Sequence, residues 1–526
     1  MKQYIKQGQA VLGIELGSTR IKAVLIGEDH APIASGDHTW ENRLENGVWT
    51  YHMDDVWAGI QDAYANLVKD VEAKYGVKLE KLKALGVSAM MHGYLPFDKD
   101  GNQICEFRTW RNTMTGEAAD ELTALLGFNI PQRWSIAHLY QAILNKEAHL
   151  PQLTRLTTLA GHVHYALTGK HVMGVGEASG MFPIDSKTGT YDAKMVELFN
   201  AKVAEKGYGF KLLDILPEVL SAGEDAGVLT EGGAKLLDPT GSLEAGALVA
   251  PCEGDAGTGM AATNAVAVRT GNVSAGTSCF SMVVLEKPLS KVYPEIDMVT
   301  TPTGKPVAMV HCNNCTSDIN AWAGMLKGFA EATGLNVSMG DIYTAIFTSA
   351  LKGDKDCGGV INMPLFSGEP VVGLNEGRPM MIRTPDAKMS FANFSRSLVA
   401  GAMTSLKAGM DILAAENVKI DSLLGHGGYF KTPLAGQTIL AASLNTPISV
   451  METAGEGGPW GMALLSAYRA NKEEGQTLEA YLNEKVFASA KSATVAPDGA
   501  DVDGLNAYTK QFIACLDAQK AAIAHL

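Results

Sequence analysis

The sequence predicts an α/β protein of two domains, on three observations. The chain has 526 residues, more than one ordinary hydrophobic core accommodates. Runs with strand character alternate with longer stretches of helical periodicity. One layout, a strand, a Gly-containing turn and a second strand, occurs twice about 260 residues apart.

The first strand is expected at Val11–Ile14 and the second at Ile21–Ile26, joined by Glu15-Leu16-Gly17-Ser18-Thr19-Arg20. Two β-rich runs around a short Gly-containing turn read as a hairpin. A helix follows over Met53–Tyr75, opened by Asp54 and Asp55. A short strand is expected at Ala84–Ser88, and helices at Thr115–Leu126, Ser135–Lys146 and Ala160–Leu167. Around Ala245–Gly259 a Gly- and Pro-rich stretch marks a change of unit. Asn272–Leu285 then repeats the strand, Gly-Thr-Ser, strand layout. A long helix over Ala392–Asn417, the turn Gly425-His426-Gly427-Gly428-Tyr429 and a helix from near Gly457 complete the pattern.

Composition narrows the function. The net charge is −14 and no basic run occurs, which disfavours a nucleic-acid partner and suits a protein that handles small molecules. Seven cysteines, an odd count, read as reduced thiols in the cytosol. The N-terminal stretch shows no signal-like pattern, and no run approaches the roughly twenty apolar residues that span a bilayer. A cytoplasmic location and no membrane partner are therefore expected.

The hairpin tips carry the chemistry. Glycine lets backbone approach an anion, and amides and hydroxyls donate to it. Either tip alone reads equally well as an ordinary tight turn; the pair, with Asp255 just before the second, points to a polyphosphate. Other cradles fit worse. No G-x-x-x-x-G-K-[ST] occurs, and a strand-like run rather than a helix follows the first tip, unlike a dinucleotide fold.

In these segments the chain resembles the FGGY carbohydrate kinases, within the sugar kinase, heat-shock 70 and actin superfamily. Gly13-Ile14-Glu15-Leu16-Gly17-Ser18-Thr19 is similar to that family's first phosphate hairpin. Gly254-Asp255-Ala256 resembles its catalytic aspartate segment, and Gly276-Thr277-Ser278 its second phosphate hairpin. Gly427-Gly428-Tyr429, Gln437 and Leu444-Asn445-Thr446-Pro447 resemble the adenosine segment, and Gly461-Met462-Ala463-Leu464-Leu465 the helix that closes it. The overall style is most like the bacterial xylulose-kinase-like subgroup.

The resemblance implies two ribonuclease-H-like domains with an interdomain active-site cleft, residues 1–253 and 254–526. It implies an ATP-dependent kinase with Asp255 as general base. Ser18, Thr19 and Thr277 would position phosphates, with Gly17, Lys22, Gly276 and Ser278 beside them. Asn320, Gly427, Gly428 and Tyr429 would lie on the adenosine side. Magnesium would be held by Glu15 and Asp255. Met91-His92-Gly93, Trp110 and Arg111 would face the sugar, D-xylulose first, with ribulose, rhamnulose, glycerol or erythritol as alternatives; Glu177 would be a sugar-side or a structural carboxylate. Such families commonly form homodimers.

Several positions depart from the family pattern. Glu15 stands where Asp is usual, Ala442 where Asp is common, Ala400 where Glu precedes Gly401, and His138 where Lys is expected. They motivate a rival reading, a nucleotide-dependent sensor that has lost transfer. His311-Cys312-Asn313-Asn314-Cys315 invites a metal, but one C-x-x-C without a second pair is poor evidence for zinc; thiols packed in a strand or turn are expected instead.

Overall fold

The computed structural model describes residues 1–451 and 457–526. They form two compact units. The first holds Met1–Val266, Met298–Val307 and 457–489; the second holds Ala267–Asp297, 308–451 and Ala490–Leu526.

The first unit is built on a mixed sheet with strand order Leu248–Val249, Ala84–Ala89, Val11–Leu16, Arg20–Ile26, Pro32–Thr39. The first hairpin is antiparallel, with Glu15 opposite Lys22, and Val11–Leu16 pairs parallel with Ala84–Ala89. These strands are almost wholly buried, as expected of continuous apolar runs covered on both faces. The helix Met53–Tyr75 buries Val56, Ile60, Ala63, Tyr64, Leu67 and Val71, a one-face stripe, and stops at Gly76 in the left-handed region.

The second unit repeats this plan. Its sheet contains, in order, Pro306–Cys312, Cys279–Val284, Thr270–Ala275, Ser422–His426, Ile448–Met451 and Ser492–Val495. Thr270–Ala275 pairs antiparallel with its hairpin partner and parallel with Ser422–His426, as Val11–Leu16 does with its own two neighbours. The echo in the sequence is therefore an echo of topology.

Two expectations change. The division made by packing does not follow the 253/254 boundary: the helix Asp255–Ala262 packs on the helix Gly457–Asn471, so Asp255 belongs to the first unit. The expectation that no stretch is apolar enough to cross a bilayer meets one exception. Phe391–Ala415 is long and apolar enough by composition, but 72% of its apolar window is buried, the burial expected of a core helix. The seven cysteines are all free.

His138 gives a test of the first unit's core. It is fully buried in the helix Ser135–Asn145, neither ring nitrogen has a hydrogen-bond partner among the described residues, and burial, reinforced by the Arg108 charge, lowers its pKa to about 3. A histidine held neutral in the folded state contributes fully above its unfolded pKa, near 6.5, and that contribution is lost as pH falls toward 3. Between pH 7.5 and pH 5 this one group should remove about 2 kcal/mol of stability. In urea unfolding at the two pH values, His138→Leu is expected to show a drop smaller by about that amount; an unchanged drop would mean that His138 protonates freely in the fold.

Candidate active site

In the first unit the strand Val11–Leu16 delivers Glu15 and the tip Gly17-Ser18-Thr19. Leu16 O accepts the Met90 N–H at 3.0 Å, which fixes the turn Met91-His92-Gly93 beside the end of that strand. His92 and Gly93 both have positive φ, 70° and 96°, a turn conformation costly for histidine. It is held by Gly93 O accepting from Ser135 Oγ at 2.5 Å. His92 is buried, its ring stacked on Trp134 at 6.2 Å. Its Nδ1 lies 3.1 Å from Gly180 O. A carbonyl can only accept, so that nitrogen carries a proton.

Asp255 opens the helix Asp255–Ala262. Its Oδ1 accepts the N–H groups of Met91 at 3.2 Å and Ala256 at 3.0 Å. Solvent reaches the residue, yet surrounding protein raises its pKa, against the pull of those two N–H groups and of the Arg133 charge. Glu15, half-buried, is pushed up to about 7 by burial and by the Asp255 charge, with Lys22 opposing. The two carboxylates are thus electrostatic neighbours. Hard oxygen donors of this kind suit magnesium, which keeps waters and binds one or two carboxylates together with phosphates. Among the described residues no three or more His, Cys, Asp or Glu side chains are arranged to hold a metal ion.

Behind Asp255 lie two further acids. Glu253 is buried and accepts the N–H groups of Gly176 at 3.3 Å and Glu177 at 2.9 Å. Burial pushes it up to about 8 against these bonds. Gly174 and Gly176 leave the room it fills, since a Cβ on either would strike its carboxyl. Glu177 is fully buried and raised well above the usual carboxylate range by burial, then by the charges of Glu253 and Asp255. Its side chain thus sits in the protein interior, against the backbone of Gly254.

Trp110 is partly exposed. The Arg111 guanidinium lies over the Trp49 ring at 4.1 Å, and Arg111 pairs with no carboxylate among the described residues. Asn112 locks Trp49 in place: its Oδ1 accepts the Trp49 N–H at 2.9 Å and its Nδ2 donates to Trp49 O at 2.8 Å.

In the second unit the tip Gly276-Thr277-Ser278 joins the hairpin strands, with Thr277 and Ser278 exposed. Gly427, at φ 103°, is backed by Ala275 O, where a Cβ would collide. Gly428 borders open space. The Tyr429 side chain is core, its hydroxyl donating to Val399 O at 3.1 Å, so only its backbone neighbours the exposed glycines. Asn320 Oδ1 accepts from Tyr343 Oη at 3.0 Å. Cys312 and Cys315 are buried, as is Cys279. Glu369, which the sequence reading passed over, accepts the N–H groups of Asn313 and Asn314, both at 3.1 Å. Trp40, Tyr51 and Glu253 were passed over too. Only Glu253 carried a signal, an acid two positions before Asp255; the aromatics lie in a polar stretch with no motif.

The family models bear on this geometry. The N-terminal domain of the FGGY family of carbohydrate kinases matches residues 10–259, and its C-terminal domain matches 271–470. A xylulose kinase of Haemophilus influenzae is 20% identical over 472 residues, 85% of this chain and 91% of that protein. Two structures from Lactobacillus acidophilus share the fold, each 16% identical and covering 97% of this chain and 98% of the other. They are a ligand-bound xylulose kinase, TM-score 0.76, and a gluconate kinase, TM-score 0.77.

The helix contact that holds Asp255 can be probed by adding one methyl group. A Cβ at Gly461 would collide with backbone at Thr258, and backbone cannot swing aside as a side chain can. Gly461→Ala should cost about 1–3 kcal/mol, read as a lower urea midpoint; wild-type stability would show that the two helices part freely.

Proposed function

Because the chain belongs to the FGGY family of carbohydrate kinases, and is thereby an ATP-dependent sugar kinase, we propose that Asp255 is its general base and that a five-carbon ketose, D-xylulose first, is its acceptor. One observation carries the reading. The Asp255 carboxylate accepts the N–H of Met91, so the base and the turn Met91-His92-Gly93 form one hydrogen-bonded unit. Both backbone bonds end on Oδ1, which leaves Oδ2 to take the proton of the attacking hydroxyl. A carboxylate of raised pKa is a stronger base than an ordinary aspartate.

The remaining residues follow from charge and position. Ser18, Thr19, Thr277 and Ser278 offer N–H and hydroxyl donors to phosphates, with Lys22 as a cation near Glu15. Magnesium, held by Glu15 and Asp255, would supply charge neutralisation. His92, Trp110 and Arg111 provide the polar and aromatic wall a polyol needs, and Gly427 and Gly428 leave room for adenosine. Glu177 acts from behind, packed against Gly254. We assign the enzyme to the cytoplasm, which suits its free thiols and its need for ATP.

Asp255→Asn keeps the shape and removes the base. It should still bind ATP and lose sugar phosphorylation by about 10²–10⁴-fold. Nucleotide binding in a wild-type protein that phosphorylates no sugar would favour the sensor reading.

A second acceptor class has its own observation. The Arg111 guanidinium, exposed and without an acidic partner, could pair with the carboxylate of an aldonic acid. A coupled ADP-release assay over ketopentoses, polyols and gluconate decides between them. D-Xylulose is expected to give the highest kcat/KM. Under this reading Arg111→Gln, which removes one contact from the polyol wall, lowers its use by about 3-fold, whereas a gluconate kinase would lose at least about 10-fold. Glycerol or gluconate outperforming every ketopentose would overturn the ketose assignment and leave the kinase standing.

A further inference from the structure

The two tips share a feature that no motif records. A peptide group is a rigid plane with its C=O and N–H on opposite edges. A carbonyl held inward at one residue therefore turns the next residue's N–H outward. In the first unit every carbonyl of the tip is held. Gly17 O accepts from Trp40 Nε1 at 2.7 Å, Ser18 O from Tyr51 Oη at 2.6 Å, and Thr19 O from the Trp40 N–H at 3.2 Å. The N–H groups of Ser18 and Thr19, the next along from the first two, donate to nothing among the described residues.

The second unit reaches the same polarity by another route. Gly276 O accepts from the N–H of Thr316 at 3.0 Å and its Oγ1 at 2.7 Å. Thr277 O accepts the Cys315 N–H at 3.0 Å. The N–H groups of Thr277 and Ser278 again donate to nothing among the described residues. Here the clasp is mainly backbone, from the turn that carries the C-x-x-C pair. In the first unit it is two aromatic side chains, buried and stacked at 4.2 Å and 26°.

We infer that Trp40 and Tyr51 are positioning residues for the nucleotide's phosphates: they hold the tip's carbonyls away from the anion and aim the Ser18 and Thr19 N–H groups toward it. Without the clasp a flipped peptide would present a carbonyl oxygen to a phosphate, replacing attraction with repulsion. This rests on the kinase reading for the identity of the anion, but not for the device itself.

Tyr51→Phe is the direct test. It removes one hydroxyl and leaves the ring to stack on Trp40. The KM for ATP should rise about 10-fold, the scale of a lost hydrogen bond to a charged group, with the KM for sugar unchanged. By calorimetry, tripolyphosphate should bind about 10-fold more weakly and adenosine as in the wild type. A merely structural defect would weaken all three ligands together and would overturn the inference, as would wild-type tripolyphosphate binding. Thr316→Val, which leaves the backbone N–H on Gly276 O, should cost only about two-fold. Should Tyr51→Phe fail to fold, Trp40→Phe, which deletes the indole N–H from Gly17 O, is read by the same measurements. Should the wild type phosphorylate no sugar, the kinase reading fails, and tripolyphosphate binding still decides the inference.

Discussion

Backbone meets backbone where the helix Gly457–Asn471 crosses the strand Val11–Leu16 and the helix Asp255–Ala262. Pro459 O and Ala463 N occupy the space a side chain at Gly13 would need, and backbone at Thr258 occupies that of Gly461. Interiors packed to crystal-like density tolerate no added methyl at such places. The contact sets the position of Asp255 relative to the first hairpin and leaves Glu15 only the space that Gly458 vacates. Asp255, Glu15 and the tip of the first hairpin therefore depend on one small-residue contact in the first unit.

Around that contact the protein gathers acids. Glu15, Glu177, Glu253 and Asp255 all have raised pKa values, and burial is the largest cause in each case. Isolated charges could not be kept there, because desolvation costs more than the available N–H groups return. The two inner acids, Glu177 and Glu253, respond by favouring their neutral forms. The outer two lie where the charges of Lys22 and Arg133 oppose the rise. The raised pKa of Asp255 thus arises from the protein packed around it.

The tips show one physical requirement met by two means. An anion site needs N–H groups outward, so the carbonyls must be bonded inward. In the second unit a backbone turn does this, which almost any sequence could supply. In the first unit two aromatic side chains do it, which makes that half sensitive to single substitutions.

The sequence by itself determined a great deal. Apolar runs and glycine turns placed both hairpins, Asp54 and Asp55 marked the start of the helix Met53–Tyr75, and the order of short motifs identified the family, because these signals are local. Burial of Cys312 and Cys315 was likewise legible from the lack of a second ligand pair. Other features needed the fold. Asp255 joined the first unit because its helix packs on a segment about 200 residues later, a contact no local pattern encodes. The burial of Glu177 and of Phe391–Ala415 emerged there too, because burial depends on what covers a residue. Trp40 and Tyr51 meet carbonyls more than twenty residues earlier only because the folded chain brings them there. Hydrogen bonds across such distances depend on the path of the backbone, and that path is decided by the packing of the whole unit.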